Sequence, residues 1–188
     1  MSPILGIWAS QNYPRVTNSY ESIATVNVGA GGSSTVTFSS IPSTYTHLQV
    51  RGIARGTGGA WNYLTFNGDT TQANYYAHEL AGNGSSVYTN AYPGGSSPIG
   101  IQLFTTYGFS NIFSGVIIDI LDYTSTNKTK VVRCLNGWNS NGGSPSGEIR
   151  LESGLWSATA AAITSLTLTC NNTYQQYTSF ALYGIKGA

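Results

Sequence analysis

Apolar and polar residues alternate with a period of two along nearly the whole chain, in short runs broken by Gly, Ser, Asn and Pro. That period places successive side chains on opposite faces and selects half-buried β-strands over helices. It predicts about ten strands: 22–28 (SIATVNV), 34–38 (STVTF), 47–53, 61–67, 99–104, 112–121, 130–136, 148–156, 163–169 and 179–185. The glycine-rich GAGGS reads as a hairpin turn between the first two, and Asn67-Gly68 is a strong turn signal. Only 157–162 (SATAAA) has the composition for a helical turn. Short strands at regular spacing with Gly and Ser turns point to an all-β fold, a jelly-roll-like antiparallel β-sandwich. A length of 188 residues suits one such domain, expected over 21–188 and preceded by an arm over 1–20.

The arm shows neither period, and Pro3 and Pro14 favour extended chain. Its apolar residues, Ile4, Leu5, Ile7, Trp8 and Tyr13, stay exposed unless they dock. They either cover the domain's own sheet edge or anchor the protein to a partner, and the anchoring arm is the expectation carried forward. Two long polar segments, 81–98 and 137–147, read as loops. Tyr88, Tyr92 and Trp138 within them are candidate contacts, because aromatic faces beside amides and hydroxyls serve both protein and sugar surfaces.

Charge is scarce. Asp, Glu, Lys and Arg make up 8% of the chain, against about 25% in an ordinary soluble domain. A net charge of +1 lacks the basic clustering that nucleic acid requires. No apolar run approaches membrane-spanning length, and residues 1–10 lack the basic start of a secretory leader. Hydrophobic residues at 40% argue against disorder. Cys134 and Cys170 share strand parity with apolar neighbours and read first as small core residues, with a single disulfide as the alternative.

Paired acids would be the main sign of catalysis, and Asp119 and Asp122 stand three apart in DILDY. Three apart on a strand means opposite faces, so cross-strand partners such as Lys130 and Arg133 explain them better than a shared substrate. Neither His47 nor His78 has a zinc-type partner at helical spacing. Asn67 and Asp69 in FNGDT lack calcium-loop spacing, and VGAGGSS opens no helix that would bind phosphate. The chain is therefore not expected to be an enzyme, and no metal or cofactor is expected.

Several stretches closely resemble a family of tailed-bacteriophage virion surface proteins. They are 20–55 (YESIATVNVGAGGSSTVTFSSIPSTYTHLQVRGIAR), 64–86, 115–137 (GVIIDILDYTSTNKTKVVRCLNG), 153–169 and 177–187. The family comprises capsid decoration (cement) proteins, head fibres and tail-fibre tips. The resemblance implies a jelly-roll or related β-sandwich, a homotrimer, a place on the virion after synthesis in the host cytoplasm, and no catalytic residues. A decoration protein bound to the major capsid protein through the arm is the first expectation. The alternative is a fibre tip that recognises host surface glycans through the two loops. A polysaccharide depolymerase using Asp119 or Asp122 is a distant third.

Overall fold

The computed structural model describes residues 19–95, 100–106, 108–140, 147–158 and 160–187, the side chains of 102, 103 and 105 excepted. Among them are twelve strands: β1 (Tyr20–Asn27), β2 (Ser33–Phe38), β3 (His47–Ala54), β4 (Ala60–Phe66), β5 (Tyr75–Gly82), β6 (Val87–Tyr92), β7 (Ile101–Thr106), β8 (Ser114–Ile120), β9 (Lys130–Asn139), β10 (Gly147–Trp156), β11 (Leu166–Tyr174) and β12 (Ser179–Ile185). They form two antiparallel sheets, eight-stranded in the order β1-β12-β3-β8-β9-β10-β5-β6 and four-stranded in the order β2-β11-β4-β7. β1 pairs with β12, β2 with β11, β3 with β8 and β4 with β7. This nested pairing is that of a long hairpin rolled up, a jelly-roll-like order. Two hairpins, β5–β6 and β9–β10, are inserted into that roll, and both extend the larger sheet.

The core lies between the sheets. Leu48, Val50, Ile118, Val132 and Leu182 from the larger sheet meet Phe38, Leu64, Phe104, Leu168 and Tyr174 from the smaller. Each such side chain contributes about 1.5–3 kcal/mol on burial. Cys134 and Cys170 are buried free thiols, as the parity of their neighbours suggested.

The sequence reading fails at three places. β1 and β2 do not form a hairpin, because residues 28–32 carry the chain from one sheet to the other. A Cβ on Gly32 would lie 2.7 Å from Thr173 Cγ2, so glycine there serves a close crossing rather than a hairpin turn. β5 was not expected as a strand, and the expected loop at 81–98 holds its last two residues, all of β6 and the turn between them, where Asn83 Oδ1 accepts from the N–H groups of Ser85 and Ser86. No helix forms in the described part of 157–162, and the one helical turn among the described residues is the 3₁₀ turn Gln72–Asn74 leading into β5.

Candidate docking face

Strand β10 reads GEIRLESGLW, and its charged residues face the protein interior. Glu148, Arg150 and Glu152 point inward, while Ile149 and Leu151 point to solvent, 60% and 52% exposed. The cause lies at the end of the strand. Trp156 is buried against Phe66, with ring centroids 5.5 Å apart, and its Nε1 donates to Asp69 Oδ2 at 2.7 Å. Gly154 lets Ile101 of β7 approach so closely that an added Cβ would lie 2.4 Å from it. With these two residues fixed inward, the period of two forces Glu152, Arg150 and Glu148 inward as well.

The buried charges satisfy one another through Arg150. Its Nη1 donates to Glu79 Oε2 at 2.5 Å, its Nε to Glu148 Oε2 at 2.8 Å and its Nη2 to Tyr88 Oη at 3.1 Å. Trp61 of β4 lies over the guanidinium, 4.7 Å from ring centroid to carbon. Burial opposes the charge on Arg150, but its bonds to Glu148 and the nearby Glu79 and Glu152 outweigh it and hold the pKa up. Glu152 differs. It stands opposite Glu79 on β5 and Cys134 on β9, 3.9 Å from Arg150. Burial pushes its carboxyl well above the usual carboxylate range, with the Arg150 charge opposing and Glu79 adding to the rise. Burial, with Glu152 beside it, likewise raises the Cys134 thiol. This cluster is closed to substrate, with the Glu79, Glu152 and Arg150 side chains almost wholly covered. Among the described residues no group of three or more His, Cys, Asp or Glu is placed to hold a metal ion.

The outward face of the same strands carries an apolar row next to a polar one of Asp119, Arg133, Ser153 and His78. Ile117, Leu135, Leu151 and Leu80 stand in one cross-strand row over β8, β9, β10 and β5. All four are exposed, as are Ile53, Val131, Ile149 and Val87 around them. Beside this row an open furrow of about 740 Å³ is lined by Gly115, Gly137, Ile117, Leu135 and Ile149 together with Arg51, Asn136, Asn139 and Glu148. A second hollow of about 390 Å³ shares Leu135 and Ile149 and continues to Val87 on β6. A polar border follows. Arg51 Nε donates to Gln49 Oε1 at 2.6 Å, Gln49 Nε2 to Asp119 Oδ1 at 2.7 Å, and Arg133 lies 3.9 Å from Asp119. An apolar centre with a polar rim has the anatomy of a protein-binding surface.

The residues singled out from the sequence fall in several places. Asp119 pairs across the sheet with Arg133, as expected. Asp122 lies beyond β8 at φ 47°, bonded to Lys128 Nζ at 2.7 Å, and that bond holds its pKa low. The two acids do not converge. Lys130, an expected partner of these acids, is instead buried and donates to the carbonyls of Ser125 and Lys128 at 2.5 and 2.8 Å, tying down the β8–β9 loop. His47 Nδ1 accepts the Asp122 N–H at 3.0 Å, a structural role. Asn67 and Asp69 serve turn chemistry: Asn67 Oδ1 accepts from Thr164 N–H at 2.8 Å, and Asp69 Oδ1 from Thr71 N–H at 2.9 Å.

Tyr88, Tyr92 and Trp138 are strand residues rather than loop residues. The Tyr88 hydroxyl donates to Glu148, that of Tyr92 to Glu79 at 3.3 Å, and Trp138 is buried and stacked on Phe109 at 5.7 Å. Their parity on β6 and β9 aims them at the charged cluster. The arm residues Ile4, Leu5, Ile7, Trp8 and Tyr13 lie outside the described residues, as do 141–146 of the second expected loop. The apolar outer row was missed because alternation alone does not say which face is inside. Its signal was present in the apolar residues at alternate positions, Ile117 on β8, Val131 and Leu135 on β9, and Ile149 and Leu151 on β10. No family model, curated protein sequence or solved structure matches this chain.

Proposed function

We propose that the chain is a structural subunit on the surface of a tailed-phage particle, a decoration protein that binds the major capsid protein on the head. One observation carries this reading. The domain buries Arg150 and its glutamates and turns Leu135, Leu151, Leu80 and Ile149 outward, which favours a surface that is covered in use. The low charge of the chain and its resemblance to phage virion proteins support the same assignment. Binding stabilises the shell by mass action, since each bound copy favours the assembled over the disassembled head. We assign it no catalytic role. The glycan-reading fibre tip has less support, because Tyr88, Tyr92 and Trp138 are engaged with Glu148, Glu79 and Phe109 rather than offered to a sugar.

Particles probed with gold-labelled antibody to the chain are expected to carry label evenly over the head. Purified protein is expected to bind heads that lack it and to raise their disruption temperature. Leu151→Asp, which puts a charge in the middle of the apolar row, is expected to abolish that binding while the variant stays folded. Label confined to tail tips or fibre ends would overturn the assignment.

A further inference from the structure

The two sheets end in the strands β1, β6, β2 and β7, and three of these edges are built to discourage a further strand. β1 has a bulge between Ser22 and Ala24 and carries Glu21. The pairing of β7 with β4 is bulged between Asn62 and Tyr63. On β2 the Ser33 hydroxyl donates to Thr35 O at 2.7 Å and accepts the Thr35 N–H at 3.2 Å, so that backbone is already engaged. β6 (VYTNAY) differs. Its register with β5 is unbroken, it holds no charge and no proline, and no strand among the described residues lies beyond it.

The hydrogen-bond alternation identifies its outer backbone groups. Ser157 N–H donates to Asn74 O at 2.8 Å, so the groups of Tyr76, His78 and Leu80 also turn toward β10. Those of Ala77, Glu79 and Ala81 turn toward β6, where they meet Tyr92, Asn90 and Tyr88. The turn keeps the same alternation, with Asn83 N–H donating to Ser86 O at 3.2 Å. Val87, Thr89 and Ala91 are therefore left with N–H and C=O pointing away from β5. Their side chains are exposed, on the outer face that Leu80 shares.

We propose that β6 pairs antiparallel with β6 of a second copy, about a two-fold axis at Thr89. That register sets Thr89 against its own equivalent and Val87 against Ala91, and all three residues exchange N–H and C=O bonds. An axis at Asn90 would instead set Val87 against Pro93, which has no N–H to give. Two features select a second copy as the occupant. Like residues meet across a two-fold axis, so any charge there would face its own sign, and residues 80–118 contain no charged side chain. The pairing also carries the row of Ile117, Leu135, Leu151 and Leu80 straight across Thr89 into the same row of the second copy. The contact is isologous and closes at two copies, since the bulged β1 ends the sheet on its far side. It goes beyond the decoration reading and does not depend on it.

Sedimentation of the full-length protein between about 1 and 100 μM is expected to show a monomer–dimer equilibrium. Thr89→Lys and Thr89→Asp each bring like charges together at the axis and are expected to weaken the dimer at least about thirtyfold. Both variants should melt as the wild-type monomer does, because Thr89 is exposed. Mixed one to one, they set a lysine opposite an aspartate and are expected to form dimers again. Amide exchange at Val87, Thr89 and Ala91 is expected to slow at least about tenfold from dilute to concentrated wild type, and to stay fast in Thr89→Lys. A monomer throughout, a trimer, a dimer that tolerates both charges, or no dimer on mixing would overturn the proposal. A dimer broken by Leu151→Asp but not by Thr89→Lys would also overturn it and move the contact to the apolar row.

Discussion

Single residues in this protein carry more charge chemistry than its composition suggests. Glu152 has both carboxylate oxygens buried without a hydrogen-bond partner among the described residues. An ionised carboxylate in that position is costly, and burial raises its pKa well above the usual carboxylate range, with the Arg150 charge opposing. Because its folded value is raised, the stability it contributes is fully present below the unfolded carboxylate range. That stability is lost as pH rises through the folded value. Asp122 works in the opposite sense at the acid end: Lys128 holds its value low, so its small contribution is lost as pH falls. Glu152→Gln removes the first titration while keeping a neutral side chain of similar shape. Thermal melts across a pH series are expected to show wild type losing stability as pH rises above the unfolded carboxylate range, and the variant losing less over the same span. Parallel curves for the two proteins would assign the loss to another group.

Among the elements, β10 inverts the usual ranking of polar and apolar substitutions. Arg150→Ala leaves Glu79 buried and unpaired and is expected to cost about 3–5 kcal/mol. Leu151→Ser, one residue along and exposed, is expected to change monomer stability by no more than about 0.5 kcal/mol. Chemical denaturation of both variants checks the pair, and equal costs would contradict the inward assignment of Arg150. This inversion also marks how far the sequence could be read. The approximate positions of the strands other than β5 and β6 were legible from alternation, and β8–β9 was legible as a hairpin with Asp119 against Arg133. Which face of β10 turns inward was not, since Trp156 and Gly154 set it through contacts with Phe66, Asp69 and Ile101 on other elements. The β1–β2 crossing looked like a hairpin because glycines serve tight turns and close crossings alike. β6 was read as loop because Val87, Thr89, Asn90 and Ala91 are all exposed, and an edge strand with little buried face carries no clear period.

At the scale of the whole molecule, the two inserted hairpins broaden one sheet to eight strands against four in the other. The inner face of the extension is closed by β7 and Trp61 over a charged cluster, and its outer face carries the apolar row. Arg150 and its glutamates are thus withdrawn from the face proposed to make contact, and on that reading this sets the thermodynamic character of binding. An interface built on leucine, isoleucine and glycine buries apolar area, which gives a negative heat-capacity change. Surface charges farther apart than a Debye length contribute little once salt is present. Binding of this protein to heads that lack it is therefore expected to vary by less than about threefold between about 0.05 and 0.5 M NaCl, where a charge-steered contact weakens steeply. Calorimetric titration at several temperatures, repeated at both salt concentrations, reads the two quantities together. A steep loss of affinity with salt, or a heat-capacity change near zero, would move the contact away from the apolar row to the border of Arg51, Asp119 and Arg133.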